Sequence, residues 1–243
     1  MLVIVRSGAV LGLESALIEV EVELANDLAA FVIVGLPDAV VNAAKERVKA
    51  AIKNSGYLFP FEHITVNLAP AGLLKEGPAY DLPIAVGILQ ASGQINADES
   101  RDESLFVGEL SVDGSIRHTN SILPMVALAS EKQMNAVFVP AADVVEATLI
   151  EGMMVYPVET LGQLVAHLNG ERPIEPYQRD PHILDYFDEA MRLQDMASVR
   201  GQEHVKRALE VAASGGHNIL MSGSPGSGKT LLARTVPRIA QRG

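Results

Sequence analysis

Residues 217–234 read His217-Asn218-Ile219-Leu220-Met221-Ser222-Gly223-Ser224-Pro225-Gly226-Ser227-Gly228-Lys229-Thr230-Leu231-Leu232-Ala233-Arg234. Within them Gly223 to Thr230, GSPGSGKT, satisfies the spacing G-x-x-x-x-G-K-[ST] of a phosphate-binding loop. Glycines let backbone N–H groups turn around phosphate oxygens at the start of a helix, where the partial positive charge favours anions. Gly223, Gly226 and Gly228 supply that freedom, and Ser224, Pro225 and Ser227 complete the turn. Lys229 is expected on the β- and γ-phosphates of ATP, and Thr230 on Mg2+. The motif requires a strand before it and a helix after it, and the pattern predicts both: an apolar strand over 217–222 and a helix opening at Leu231.

The loop ends thirteen residues before Gly243. Hydrolysis also needs a second acidic residue on another strand and an arginine from a neighbouring subunit. Thirteen residues leave no room for them. The expectation is therefore an N-terminal piece of a larger protein that binds Mg-nucleotide weakly and turns it over negligibly.

Outward from the loop, Val199-Arg200-Gly201-Gln202 precedes a helix whose Val205, Ala208, Leu209 and Ala212 share one face. Residues 171–190, with Pro173, Pro176 and Pro181, read as a linker, which leaves 191–243 as the phosphate-loop segment and 1–170 as a separate domain. In that domain Ile18, Val20, Val22 and Leu24 alternate with Glu19, Glu21 and Glu23, the period of a half-exposed strand whose glutamates form a solvated face. Phe31 to Val34 is a second strand. Asp38 is placed to cap a helix carrying Val41, Ala44, Val48, Ala51 and Ile52 at helical spacing and stopping at Gly56. A strand over 64–68, a buried helix over 83–91, a hairpin around Asp113-Gly114 with Leu105–Ser111 as one arm, a helix over 122–133, strands over 136–139 and 154–156 and a helix near 160–168 follow. Mixed rather than alternating elements predict an α+β domain with a mixed sheet.

With 48% apolar residues over 243 positions, the chain can bury about one or two cores. No apolar run reaches the ~18 residues of a spanning helix, so no membrane is expected, and the absence of cysteine fits a reducing, cytoplasmic compartment. Residues 1–170 hold 9 Lys/Arg against 21 Asp/Glu. The basic cluster there, Lys45, Arg47, Lys49 and Lys53, is interrupted by Glu46 and reads as a solvated helix face, so residues 1–170 alone are expected to bind DNA negligibly.

Three long stretches carry a resemblance: IVGLPDAVVNAAKERVKAAIKNSG, ITVNLAPAGLLKEGPAYDLPIAVGIL and VRGQEHVKRALEVAASGGHNILMSGSPGSGKT. Together they resemble the YifB/ComM family of magnesium-chelatase-like AAA+ proteins. The resemblance implies a front domain with the ribosomal-S5-domain-2-like fold of the Lon protease domain, then an AAA+ module working as a homo-oligomeric ring, expected as a hexamer. It implies an adenine-side role for Val199, Gly201 and Gln202. It also implies, for the intact protein, an ATP-driven motor that promotes branch migration of DNA in natural transformation. A remodeller acting on a protein, or a non-enzymatic docking module, are the competing expectations. A Lon-like fold raises serine-lysine proteolysis as well. The matching turn, Glu76 to Asp81, puts Ala79 where the nucleophile belongs, and the lysine position falls on Leu123, so no peptidase activity is expected. Lys75 and Ser92 remain nearby as stray candidates.

Overall fold

A computed structural model describes residues 2–11, 14–96, 103–179, 195–224 and 226–236. Pro225 of the loop and residues 180–190 of the expected linker lie outside these. The chain divides into two compact units, 1–179 and 180–243. The linker was expected to begin at Glu171, but Ile174 is buried and Tyr177 donates its N–H to the Val155 carbonyl at 2.8 Å, which keeps residues through Arg179 on the first unit.

The first unit runs β1 (Leu2–Leu11), β2 (Glu14–Ala25), β3 (Ala30–Val34), α1 (Ala39–Asn54), β4 (His63–Ala69), α2 (Asp81–Ala91), β5 (Ser104–Phe106), β6 (Glu109–Leu110), β7 (Ile116–Arg117), α3 (Ile122–Glu131), β8 (Ala136–Pro140), α4 (Val144–Ala147), β9 (Met154–Val158) and α5 (Leu161–Leu168). Seven strands form one sheet in the order β3-β4-β2-β1-β5-β8-β9. The pairs β1–β2 and β2–β4 are antiparallel and the other four are parallel. The unit is thus mixed α and β with a mixed sheet, consistent with the α+β expectation.

Burial along each strand tells which faces are covered. In β4, buried Ile64, Val66 and Leu68 alternate with partly exposed Thr65 and Asn67, so one face is packed and the other is open. Strand β8 is buried at every residue, because both of its faces are covered. On one side Phe138 stacks between Phe106 and Tyr156, with ring centroids 4.7 and 4.9 Å apart, and His167 of α5 packs on the stack. On the other, Val137 and Val139 cluster with Ile122 and Val126 of α3 and Val144 of α4. The buried helix expected over 83–91 is α2, and it lies directly on the sheet. A Cβ at Gly87 would fall 2.5 Å from Val22 Cγ2, so only glycine permits that approach.

Two expectations need correction. Leu105–Ser111 is not one continuous hairpin arm. The chain leaves the main sheet after Phe106, and Gly108 donates its N–H to the Ala79 carbonyl (3.0 Å) while accepting from the Leu82 N–H (3.1 Å). Only Glu109–Leu110 pairs with Ile116–Arg117 around the Asp113-Gly114 turn. Secondly, Arg47 does not belong to a solvated basic face. Asp38 caps α1 by accepting from Val41 N–H at 2.6 Å, and the predicted apolar residues face inward. Arg47 sits beside that stripe and reaches α2: its Nε donates to Asp81 Oδ2 (2.7 Å) and its Nη2 to Asp81 Oδ1 (3.0 Å) and the Val40 carbonyl (3.2 Å).

The Asp81 side chain is 1% exposed and accepts a third bond from Leu110 N–H at 3.3 Å. Burial pushes its pKa up, and the Arg47 guanidinium pulls the other way. Replacing Arg47 by alanine leaves a buried carboxylate without its counter-charge, for an expected loss of about 3 kcal/mol, whereas Lys49→Ala costs under about 0.5 kcal/mol. Without Arg47 the folded-state pKa of Asp81 rises further above its unfolded value, so the folded chain holds the proton more tightly. The R47A loss is then smallest near pH ~4 and grows as pH rises through the raised pKa. Urea unfolding at several pH values checks this, and equal losses for R47A and K49A would contradict the buried-pair account.

Candidate functional site

The second unit contains a short turn at Met196–Ser198, α6 (Glu203–Ser214) and α7 (Lys229–Ala233). Leu209 of α6, Leu232 of α7 and Val199 form a small buried cluster, with Val205 and Met221 packed against it. The strand expected over 217–222 does not form a ladder: residues 217–224 pair with no strand among the described residues, and Ile219 and Leu220 are exposed. A strand exists through its hydrogen-bonded neighbours, and the described part of this unit offers none.

The loop itself has the expected backbone. Gly226 (φ +81°) and Gly228 (φ +82°) are left-handed, and Gly228 is the N-cap of α7, so the loop feeds straight into a helix whose first residue is Lys229. The Lys229 ammonium lies in the bend of the loop, donating to the carbonyls of Gly223 (2.9 Å) and Ser224 (2.8 Å) and to Ser227 Oγ (3.3 Å). These partners are all neutral, and no carboxylate pairs with the ammonium among the described residues.

The loop is also tied to the segment before α6. Gln202 Nε2 donates to the Ser227 carbonyl at 3.0 Å. Gly201 (φ +74°) and Gln202 (φ +57°) are both left-handed, which turns the Gln202 side chain toward the loop as α6 begins. A cleft of about 410 Å³ results, walled by Gln202, Val205, Ser224, Ser227, Lys229 and Leu232. Val199 is buried beneath it rather than on its wall. Thr230 is exposed and does not line it. His204 and Val205, which do, were not among the expected site residues, Val205 having been read as part of the apolar face of the helix. Their signal was their place in the first turn of α6, immediately after Gln202.

In the first unit, Ala79 is buried and Leu123 half-buried with its N–H on Glu146 Oε1 at 3.0 Å. A methyl and an isobutyl group thus stand at the two positions of interest. Lys75 is fully buried, its ammonium against the Pro70 carbonyl, and burial holds its pKa below the usual lysine range. Ser92 is occupied at the end of α2, donating to Leu89 O (3.1 Å) and accepting from Gln94 Nε2 (2.8 Å). Among the described residues no cluster of His, Asp and Glu could hold a metal ion, and no helix is long and apolar enough to cross a membrane.

Against known families, residues 20–143 match the one described as subunit ChlI of Mg-chelatase, and residues 195–242 match magnesium chelatase, subunit ChlI. The competence protein ComM of Haemophilus influenzae is 38% identical over 238 residues, which cover 96% of this chain and 45% of that protein. The chain belongs to the YifB/ComM family of magnesium-chelatase-like proteins. The uncharacterized protein YifB of Escherichia coli is 40% identical over 233 residues, with 96% of this chain and 45% of YifB covered. The chain therefore spans about half the length of the curated relatives it matches. The family match embraces both the cleft walled by Gln202 and Lys229 and the greater part of the seven-stranded sheet.

Gln202→Ala should free the Ser227 carbonyl at a cost of about 1 kcal/mol, so amide exchange at Ser227 to Lys229 speeds up roughly fivefold while that of α3 is unchanged. Unchanged exchange at the loop would show that the bond does not hold it.

Proposed function

We propose that this chain binds ATP with Mg2+ through Gly223–Thr230 and Gln202, as the front half of an AAA+ ATPase. The single observation that carries the reading is the Lys229 ammonium held inside a glycine loop that is bonded to Gln202. The residues present fit a nucleotide. The carbonyls around the ammonium are weaker partners than phosphate oxygens would be, the left-handed glycines put no side chain in the way, and the cleft is in the size range of small-molecule sites, ~300–1,000 Å³. When bound, Mg2+ would supply positive charge to stabilise the phosphates. Lys229 would add a point charge at the phosphates, Gln202 and Val205 would bound the cleft that takes the nucleotide, and the Thr230 hydroxyl would hold the metal.

The longer protein is proposed to assemble as a cytoplasmic homo-oligomeric ring, a hexamer, that drives branch migration of DNA. The name of the Haemophilus influenzae relative, a competence protein, supports the link to DNA uptake. For the first unit we propose the S5-domain-2-like fold of Lon-type domains without the chemistry, which Ala79 and Leu123 could not perform. Unwinding of a forked DNA by the full-length protein tests the motor. Lys229→Ala is expected to lower both hydrolysis and unwinding by roughly 10²-fold or more. ATP turnover that responds to a protein partner and never to DNA would favour remodelling instead.

A further inference from the structure

The first unit contains a second cleft, of about 640 Å³, whose floor includes Ala79 and Tyr80. Its charged lining is one-sided. Asp38, Glu76 and Glu109 line it, and among the described residues no lysine or arginine does. Glu76 and Glu109 have no ion-pair or side-chain hydrogen-bond partner among the described residues. Arg47 feels the charge of Glu109, yet its guanidinium is bonded twice to Asp81. His118, also on the lining, is held by Asp143, which keeps the imidazole pKa raised.

Tyr80 supplies an independent sign that the cleft is built for an occupant. It is 2% exposed, and its hydroxyl has no hydrogen-bond partner among the described residues. The buried side-chain groups without a partner among the described residues are Ser7 Oγ and Ser111 Oγ, so the Tyr80 hydroxyl, on the lining of the cleft, keeps a solvent-accessible face. The hydroxyl interacts electrostatically with Asp38 and Glu76, both on the same cleft, and burial with those charges keeps it a neutral phenol, whose oxygen accepts a hydrogen bond from a cation. Part of the remaining wall is apolar, with Val40 and Leu74 44% and 46% exposed and Met125 also on the lining, and Thr119, Asn120 and Ser121 make the rest polar and uncharged.

We infer that this cleft docks an extended basic peptide, a lysine or arginine side chain of which lays its aliphatic stem on Val40, Leu74 and Met125 and its cation among Glu76, Glu109 and the Tyr80 hydroxyl. Long basic side chains combine those two requirements, an apolar stem and a charged head. The inference stands apart from the nucleotide reading, since every residue in it belongs to the first unit.

The test is fluorescence anisotropy with the 243-residue chain and three labelled probes of equal length: an alanine-lysine peptide, an alanine-glutamate peptide and an alanine-serine peptide. Only the lysine peptide is expected to bind. The Glu76→Gln/Glu109→Gln double variant should weaken it about tenfold or more, and Tyr80→Phe about threefold, with thermal unfolding unchanged. Glu19→Gln/Glu21→Gln/Glu23→Gln, on the open face of the sheet, should leave binding as it was. Equal loss in that triple variant would overturn the site in favour of a diffuse acidic surface. Displacement of the peptide by spermidine at equal concentration would overturn the commitment to a peptide, and the absence of lysine-peptide binding would overturn the inference altogether.

Discussion

A carboxylate taken out of water must be compensated where it sits, and in the first unit that carboxylate is Asp81. Its two oxygens are matched by the Arg47 fork from α1 and by the Leu110 N–H from the β6–β7 hairpin. Three elements remote in sequence are thereby fixed at one point, with geometry that a hydrophobic contact alone does not specify. The residue just before it, Tyr80, and its neighbour Ala79 are placed by the same arrangement, because Gly108 next to the hairpin closes hydrogen bonds on both Ala79 and Leu82. The floor of the acidic cleft is thus a consequence of how one buried charge is satisfied.

Much of this was legible in the amino-acid pattern, for reasons that vary by element. The alternation in β2 and β4 and the Asp38 cap of α1 are local signals, each carried within a few residues, and the structure reproduces them. The split of Leu105–Ser111 was not legible, because it is decided by backbone bonds from Gly108 to Ala79 and Leu82, some thirty residues away in the chain. Arg47 misled for the same reason. It stands among lysines at helical spacing, and only the position of Asp81 shows that its charge is spoken for. In the second unit the glycine spacing revealed the loop, and Gln202 was placed by resemblance. Its bond to Ser227 was beyond either, and the expected strand over 217–222 had a sequence suited to a sheet but no neighbouring strand among the described residues with which to form one.

Charge counting over the first unit was similarly blunt. The glutamates of β2 lie on the open side of the sheet, with Asn67 Nδ2 bonded to Glu21 Oε2 at 2.8 Å, while Asp38, Glu76 and Glu109 gather at the cleft. An acidic total describes neither surface. Fields in water at physiological salt fade over about 8 Å, so what a partner meets is the local set of groups.

The central claim is that the loop from Gly223 to Thr230 is a nucleotide site organised around Lys229. Calorimetric titration of Mg-ADP into the 243-residue chain tests it most directly, with Lys229→Ala titrated in parallel. Saturable one-to-one binding by the wild type that is lost in the variant is the predicted result. Identical heats from the two proteins, or none from either at millimolar nucleotide, would contradict it.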